Sequence, residues 1–193
     1  MMTGDFKLTY EYLKEIGACS MGLTAFATRF PNGAEYQETL DECAKEHRED
    51  FATWLLARLG KTTETRVFDE MIEDSERSVI FAGDIVFSKN VSLRVVLAGG
   101  GIKAGGGIKA GWGIEAGWGI KAGDGIKAGD GIKAGDGIEA GDGIEAGWGI
   151  EAGPDYGVYA GLRCKISKWP TNAIVTARKK PDNLYGGCWV EKQ

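Results

Sequence analysis

One variable position carries most of the chemically versatile side chains in the second half of the chain. It lies between two glycines and is occupied by Gly106, Trp112, Trp118, Asp124, Asp130, Asp136, Asp142, Trp148 and Pro154. Aspartate between glycines is a turn former, and stacked carboxylates can also bind cations or imitate a phosphate backbone. Tryptophan is a frequent anchor of protein interfaces. We therefore predict that these four aspartates and three tryptophans form a binding surface.

Catalytic candidates are scarce in this sequence. Its single histidine, His47, lies in the helical run Glu42–Arg48, far in sequence from the glycine-rich segment. An acyltransferase built from hexapeptide repeats is an alternative function. Such enzymes use a histidine near a subunit boundary of a trimer. The sequence contains no recognisable Ser/His/Asp set, phosphate-binding loop or metal-binding motif. We predict a protein that is not an enzyme, with no cofactor and no metal site.

The aspartates and tryptophans are positioned by a hexapeptide, Gly-Ile-(Lys/Glu)-Ala-Gly-x, which occurs nine times between Gly101 and Gly153. Alternating glycine spacings of four and two residues exclude a collagen helix. Two glycines in six residues would cost an α-helix about 2 kcal/mol per repeat. In an extended strand, Ile and Ala share one face and the charged residue takes the other. The repeat therefore predicts a β-solenoid, whose units bury their isoleucines only by stacking on their neighbours.

Two coil sizes are compatible with this period, a triangular coil of three hexads and a flat coil of two. With three hexads per coil, opposite charges adjoin in four pairs, Lys121–Glu139, Lys127–Glu145, Lys133–Glu115 and Lys133–Glu151. Two like-charge pairs remain among the six neighbours, compared with three among seven in the flat coil. Because opposite charges stabilise neighbouring strands, we favour three hexads per coil.

The segment before the repeat has a different pattern. Apolar residues recur every three or four positions between residues 5 and 60, which predicts helices. A short linking helix is expected near Phe68–Ile72. Ile80–Gly83 then matches the Ile-x-Ala-Gly core of the repeat, which predicts imperfect coils from about residue 78.

The segment after the repeat reads as strands. Val158–Gly161 matches the repeat core after a slip of two residues, and Cys164–Trp169 and Ala173–Arg178 have strand character. We predict an α+β fold with three units, a helical N-terminal cap (1–77), a solenoid (78–162) and a β-rich C-terminal cap or oligomerisation element (163–193).

Charge is distributed unevenly between the two ends. Residues 1–78 carry sixteen acidic and nine basic side chains, whereas residues 162–193 carry two acidic and seven basic ones. The basic end is suited to binding phosphate or an acidic protein. Because Trp169 lies within it and a base can stack on an indole, direct nucleic-acid binding is an open alternative. With no apolar signal-peptide core and no long apolar run, we expect a cytoplasmic protein without membrane contact.

A resemblance adds a biological context. The motif Ile16–Leu23, followed by Phe26, Phe30–Gly33 and Trp54–Leu56, resembles a small helical module at the front of phage and prophage proteins. The glycine-rich array is similar to tracts in the same kind of accessory protein. This resemblance carries no catalytic residues. It implies a protein that binds a host protein or a protein–nucleic acid complex and inhibits a defence system such as CRISPR or restriction. A structural or oligomeric spacer is the alternative.

Overall fold

A computed structural model describes residues 7–192, which form a helical unit followed by a triangular β-solenoid. The helices are α1 Tyr10–Glu15, α2 Ser20–Arg29, α3 Tyr36–Lys45, α4 Glu49–Leu59 and α5 Trp169–Asn172. The strands are β1 Lys7–Leu8, β2 Ala34–Glu35, β3 Thr65–Phe68, β4 Ile72–Phe81, β5 Asp84–Phe87, β6 Val91–Ala98, β7 Ile102–Ala104, β8 Ile108–Ala110, β9 Ile114–Ala116, β10 Ile120–Ala122, β11 Ile126–Ala128, β12 Ile132–Ala134, β13 Ile138–Ala140, β14 Ile144–Ala146, β15 Ile150–Glu151, β16 Val158–Tyr159, β17 Ile174–Ala177, β18 Leu184–Gly186 and β19 Cys188–Glu191. Across residues 7–192, every helix is too short or too polar to cross a membrane.

Local sequence signals set the ends of the helices. Thr9 caps α1 by accepting a hydrogen bond from a backbone amide of the first turn. Glu35 and Glu38 form a capping box at the start of α3. Gly60 ends α4 with a φ of 72°, a left-handed conformation that favours glycine. The helices predicted for residues 5–60 are confirmed from residue 10 onward, and residues 5 and 6 lie outside the described part of the chain.

The solenoid has three faces, each a stack of parallel strands. The first face stacks β3, β5, β7, β10, β13, β16 and β18. The second face stacks the starts of β4 and β6, followed by β8, β11, β14, β17 and β19. The third face stacks the ends of β4 and β6, followed by β9, β12 and β15. Strands β4 and β6 therefore bend around the corner between the second and third faces.

Each repeat strand pairs with strands one coil away, and one coil contains three hexads. Ile120, for example, lies in register between Ile102 and Ile138. Lys121 donates a hydrogen bond to Glu139, 18 residues further along the chain. The predicted fold class and the triangular coil are confirmed.

The predicted charge neighbours also occur in the strand register. Lys121 and Lys127 form ion pairs with Glu139 and Glu145, the second at 2.8 Å. Lys133 lies in register with Glu115 on one side and with Glu151 on the other. The two like-charge contacts are Lys103–Lys121 and Lys109–Lys127. These exposed pairs each contribute about 0–1 kcal/mol, so they select the register more than they stabilise it.

Isoleucine and alanine fill the interior of the solenoid. Each of the nine repeat isoleucines is at most 3% exposed, and each contributes about 1.5–3 kcal/mol by leaving water. The glycine after the alanine lets neighbouring coils approach. A β-carbon on Gly129 would overlap the carbonyl oxygen of Gly111 in the preceding coil, and most glycines at this position are equally confined.

The helical unit, residues 7–59, packs against the outside of the third face. Ile80 and Leu97 point outward there and are buried in one apolar cluster with Leu40 of α3. The side chain of Gln37 covers the free edge of β4, because it donates to the Ile80 carbonyl (3.0 Å) and accepts from the Ala82 amide (2.9 Å). The helices therefore cover both a strand edge and a side face of the first coils.

The predicted alignment of Ile80–Gly83 with the repeat is wrong by one residue. Val79 and Phe81 point into the core, in register with Val96 and Ala98. A shift of one residue exchanges the two faces of a strand, so Ile80 points outward and becomes available to the helices.

Two further expectations are wrong, both outside the perfect repeat. Phe68–Ile72 is not helical, because Phe68 ends β3 and stacks on Phe87 with ring centroids 5.2 Å apart. Cys164–Trp169 is not a strand. It belongs to a segment inserted between β16 and β17, where Pro170 occupies the first turn of the short helix α5.

Two C-terminal expectations are confirmed. Val158 pairs with Ile138 in spite of the two-residue slip, and the segment Ala173–Arg178 contains β17. The stacked strands run from β3 to β19, and so extend on both sides of the predicted solenoid range 78–162.

Candidate functional site

The variable position of each hexad lies at a corner of the triangle. The first corner joins the first and second faces, the second joins the second and third, and the third joins the third and first. Because one coil contains three hexads, every third variable residue shares a corner. The seven predicted site residues are therefore distributed over three separate columns.

The first corner carries aspartates without aromatic neighbours. The backbone amide of Asp124 donates to Gly106, and that of Asp142 donates to Asp124, both at 3.3 Å. Asp142 also accepts a hydrogen bond from the Cys164 thiol (3.2 Å). Burial and then this carboxylate raise the pKa of Cys164, so the thiol stays protonated at neutral pH.

The second corner alternates aromatic and charged side chains. Its column runs Arg94, Trp112, Asp130, Trp148 and Arg178, each backbone amide donating to the preceding carbonyl at 2.9–3.1 Å. The third corner carries Trp118 and then Asp136, whose amide donates to the Trp118 carbonyl (3.4 Å), and Tyr156 follows in the next coil. The expected carboxylate rows are thus reduced to one adjacent pair, Asp124 and Asp142.

All three corner tryptophans are more than half exposed, and each has a cation over its ring. Trp112, Trp118 and Trp148 are 53%, 52% and 61% exposed. The guanidinium carbons of Arg94 and Arg178 lie 4.7 and 4.4 Å from the ring centroids of Trp112 and Trp148. Lys61 Nζ lies 3.2 Å from that of Trp118. These contacts favour the observed positions of the indoles, because a cation is attracted to the electron-rich face of an aromatic ring.

Glu49 connects the second corner to the helical unit. Its carboxylate accepts hydrogen bonds from Arg94 (3.1 Å) and from the Ser78 hydroxyl (3.0 Å). Burial alone would raise the pKa of Glu49, but hydrogen bonds from its own backbone amide, Arg94 and Ser78 outweigh it and lower the pKa. Glu49 is therefore ionised at neutral pH and holds Arg94 beside Trp112.

Sequence reasoning missed a tyrosine platform at the end of the first face. Tyr159 and Tyr185 stack with ring centroids 5.9 Å apart, and Tyr156 is exposed beside them. The two stacked rings lie over Gly157, where a β-carbon would collide with both. Tyr156 stands two residues before Val158, so the variable position of an imperfect hexad was the signal that could have found it.

His47 and the basic end lie apart from the corners. His47 lies in the turn after α3 with a φ of 53°, and its Nδ1 is 3.8 Å from a Glu49 oxygen. Trp169 donates its indole hydrogen to the Gly161 carbonyl (3.1 Å), which holds it against the chain. Within residues 7–192, no group of three or more His, Cys, Asp or Glu side chains is placed to hold a metal ion.

The comparison with known families concerns the helical unit alone. Residues 1–61 match the model of a family described as the YdhT N-terminal domain. The match ends before the solenoid begins, and it is consistent with an accessory protein. No curated protein and no solved structure matches the chain.

Proposed function

We propose that this protein binds a macromolecular partner through the corners of its solenoid, with Trp112, Trp118 and Trp148 as the main anchors. The observation that carries the proposal is their exposure. A tryptophan that leaves more than half of its surface to water on a folded protein retains a large apolar area to bury against a partner.

The backbone under these residues supports the proposal. Each tryptophan lies between coils that are hydrogen-bonded on both sides, and a cation over its ring restricts the side chain further. A side chain that is already ordered loses little conformational entropy on binding. Rigid aromatic anchors of this kind dominate the energetics of many interfaces.

The aspartates have a different role in the proposed complex. Asp124, Asp130, Asp136 and Asp142 all lie at corners, and none is buried. Asp130 and Asp136 share their corners with tryptophans, whereas Asp124 and Asp142 form the first corner. Their long-range attraction would accelerate encounter with a basic partner surface, whereas the tryptophans would hold the complex together.

The biological setting is the finer part of the proposal. We infer from the phage-like sequence motifs that the partner is a bacterial host complex and that binding inhibits a defence system. The match of residues 1–61 supports an accessory role in general terms. This inference rests on the sequence resemblance.

A spacer or oligomer is the second candidate, and one observation favours it. Strands β18 and β19 end their two sheets, and Tyr185 and Val190 on them are 72% and 47% exposed. A free sheet edge with exposed apolar side chains can pair with a second copy. Light scattering compares the oligomeric state of the full chain with that of Val190→Lys and so distinguishes the two candidate functions. A spacer that assembles through β19 would dissociate in the variant.

The test of the binding role compares wild type with two sets of substitutions. The wild type and Trp112→Ala/Trp118→Ala/Trp148→Ala are used as baits in a bacterial lysate, and captured proteins are quantified by mass spectrometry. For a partner then purified, we expect the tryptophan variant to dissociate on the order of tenfold faster or more.

The aspartate set supplies the second arm of the same test. Replacing the four corner aspartates by asparagine should slow association and weaken its salt dependence, with little change in dissociation. Lys103→Gln/Lys109→Gln is a matched control on the faces. If both sets leave the kinetics at wild-type values, the interface lies away from the corners.

A further inference from the structure

The second corner contains an arrangement that extends the proposed binding role to a defined chemistry. Trp112 and Trp148 stand in the same column, separated by one coil, and Asp130 lies between them. Arg94 precedes Trp112 in the column and Arg178 follows Trp148, and each arginine lies over the ring of its neighbour. Among residues 7–192, no other cation and no aromatic ring contacts either indole.

We propose that Trp112, Asp130 and Trp148 form a slot that accepts one guanidinium group, the side chain of an arginine on a protein partner. The inference rests on the proposed function for its biological meaning. Its chemistry stands on the geometry of the corner and can be tested without the partner.

The spacing of the coils fits a guanidinium. The backbones of Trp112 and Trp148 are two strand spacings apart, about 9.6 Å, and indoles that project in parallel keep this separation. In this same column, guanidinium carbons lie 4.7 and 4.4 Å from the indole centroids. A guanidinium midway between the two rings would be about 4.8 Å from each, close to the distance that the chain's own arginines adopt.

A primary ammonium fits the same slot less well. Lys61 Nζ approaches the Trp118 centroid to 3.2 Å, which is closer than either guanidinium carbon approaches its indole. At the middle of the slot an ammonium would be too far from both rings for such contact. The planar guanidinium, which stacks on aromatic faces, spans the gap.

Asp130 supplies the counter-charge at the centre of the slot. Within residues 7–192 its carboxylate has no hydrogen-bond or ion-pair partner, although it is only partly exposed. A carboxylate accepts two parallel hydrogen bonds from a guanidinium, which gives both attraction and orientation. A bound arginine would thus be held on two faces by indoles and at its edge by Asp130.

The existing arginines do not prevent this binding. Arg94 is paired with Glu49 at 3.1 Å, so its charge is largely compensated. Arg178 lies one coil beyond Trp148, about two strand spacings from the middle of the slot, which is about one Debye length at physiological salt. The completed column would alternate guanidinium and indole, an extension of the order already present.

The first corner provides a matched control. Asp124 occupies the same hexad position as Asp130, also without a side-chain partner in the described chain, but its column neighbours are Gly106 and Asp142. If a carboxylate alone sufficed, Asp124 would bind a guanidinium as well as Asp130 does. The proposal requires the two flanking indoles.

The experiment titrates the full chain with N-acetyl-arginine methylamide and follows the indole N–H resonances by NMR. Trp112→Phe and Trp148→Phe assign the two signals. We expect both to shift along one saturation curve, while the Trp169 indole, already donating to Gly161, stays unchanged. The neutral analogue N-acetyl-citrulline methylamide should cause no saturable shift, and N-acetyl-lysine methylamide should bind several-fold more weakly.

Variants sharpen the result. Asp130→Asn should weaken arginine binding about fivefold, the loss of one close opposite charge in water, while Asp124→Asn should leave it unchanged. Trp112→Leu and Trp148→Leu should each abolish saturation, with folding checked by circular dichroism. Equal binding of citrulline, or equal effects of the two aspartate substitutions, would overturn the guanidinium slot.

The slot and the proposed function fail in different ways. If arginine saturates the slot but a captured partner is indifferent to the tryptophans, the slot stands and the binding role of the corners is wrong. If the partner needs the tryptophans but arginine methylamide shifts neither indole, the corners bind by another chemistry and the slot is wrong.

Discussion

The third face of the solenoid changes character between its second and third coils. Ile80 and Leu97 occupy its outward column first and are buried under the helical unit. Glu115, Lys133 and Glu151 continue the same column and are open to solvent to different degrees. The strand geometry is the same in all of these coils. The single outward side chain of each coil therefore determines whether the face is covered by the helices or exposed to solvent.

The interior does not distinguish the two regions. Val96 of the second coil and Ile114 of the third stack in register, and both are buried in one continuous core. The comparison teaches that the inside of this solenoid sets its architecture, whereas the outside determines what each coil contacts. The following substitutions test that division.

The largest effect is expected inside the solenoid. Ile126→Asp would place an unpaired charge at a position that is 1% exposed, which should lower the free energy of unfolding by about 4–5 kcal/mol. Chemical denaturation measures the loss. Lys127→Gln, one residue further and exposed, should cost less than about 1 kcal/mol. Similar stabilities of the two variants would contradict an inward isoleucine.

A smaller loss is expected where the helices meet the third face. Leu97→Glu gives the second coil the outward residue type of the third coil and should cost about 3 kcal/mol, because it places a charge in the apolar contact with the helices. Hydrogen exchange should show lost protection in α3 and retained protection in β9 to β12. Glu115→Gln is the control. Unchanged protection of α3 would mean that other contacts hold the helical unit.

The close approach of the coils can be tested at two glycines that flank one corner. A β-carbon on Gly147 would overlap the Gly129 carbonyl oxygen, whereas one on Gly149 would meet no atom within 4 Å. Gly147→Ala should therefore lose about 1–3 kcal/mol of stability. Gly149→Ala should be neutral or slightly stabilising, because alanine restricts the unfolded chain. Equal thermal melts would show that the coil spacing does not depend on the first glycine.

The smallest effect concerns the polar contact between the two regions. Glu49→Gln should lower stability by about 1–2 kcal/mol at neutral pH, because Arg94 and Ser78 lose a charged acceptor. The folded-state pKa of Glu49 lies below its ordinary value of 4.5, so its contribution is present above that value and disappears as the pH falls through the folded-state pKa.

Denaturation of wild type and Glu49→Gln between pH 7 and pH 3 measures this difference. The two stability curves should converge toward the acid end. A constant difference over the whole range would assign the effect of Glu49 to packing.

The perfect repeat made much of the fold predictable from sequence. Its period places Ile102, Ile120 and Ile138 in one ladder, and the charge order of the lysines and glutamates favours three hexads over two. The prediction was wrong where the repeat is imperfect. At Ile80 two alignments differ by one residue, and only the contact with the helices decides between them.

The candidate site was less predictable. Residue type predicted the corner tryptophans as binding residues. The cations that lie over their rings come from outside the perfect repeat, from Lys61, Arg94 and Arg178. Periodicity carries no information about these long-range contacts. The expected carboxylate rows failed for a simpler reason. Aspartates in successive hexads fall on different corners, so only Asp124 and Asp142 meet.

The coil of three hexads also constrains how a gene for such a protein can change. Because the hexads are nearly identical in amino-acid sequence, a gain or loss of whole hexads leaves the repeat pattern intact. A gain of three hexads before Trp148 would lengthen the stack and return this residue to the corner of Trp112. A gain of one hexad between Asp130 and Trp148 would transfer Trp148 to the corner of Trp118 and separate it from Asp130. A change in repeat number by one hexad therefore moves the later variable residues to different corners, whereas a change by three hexads keeps each of them at its own corner.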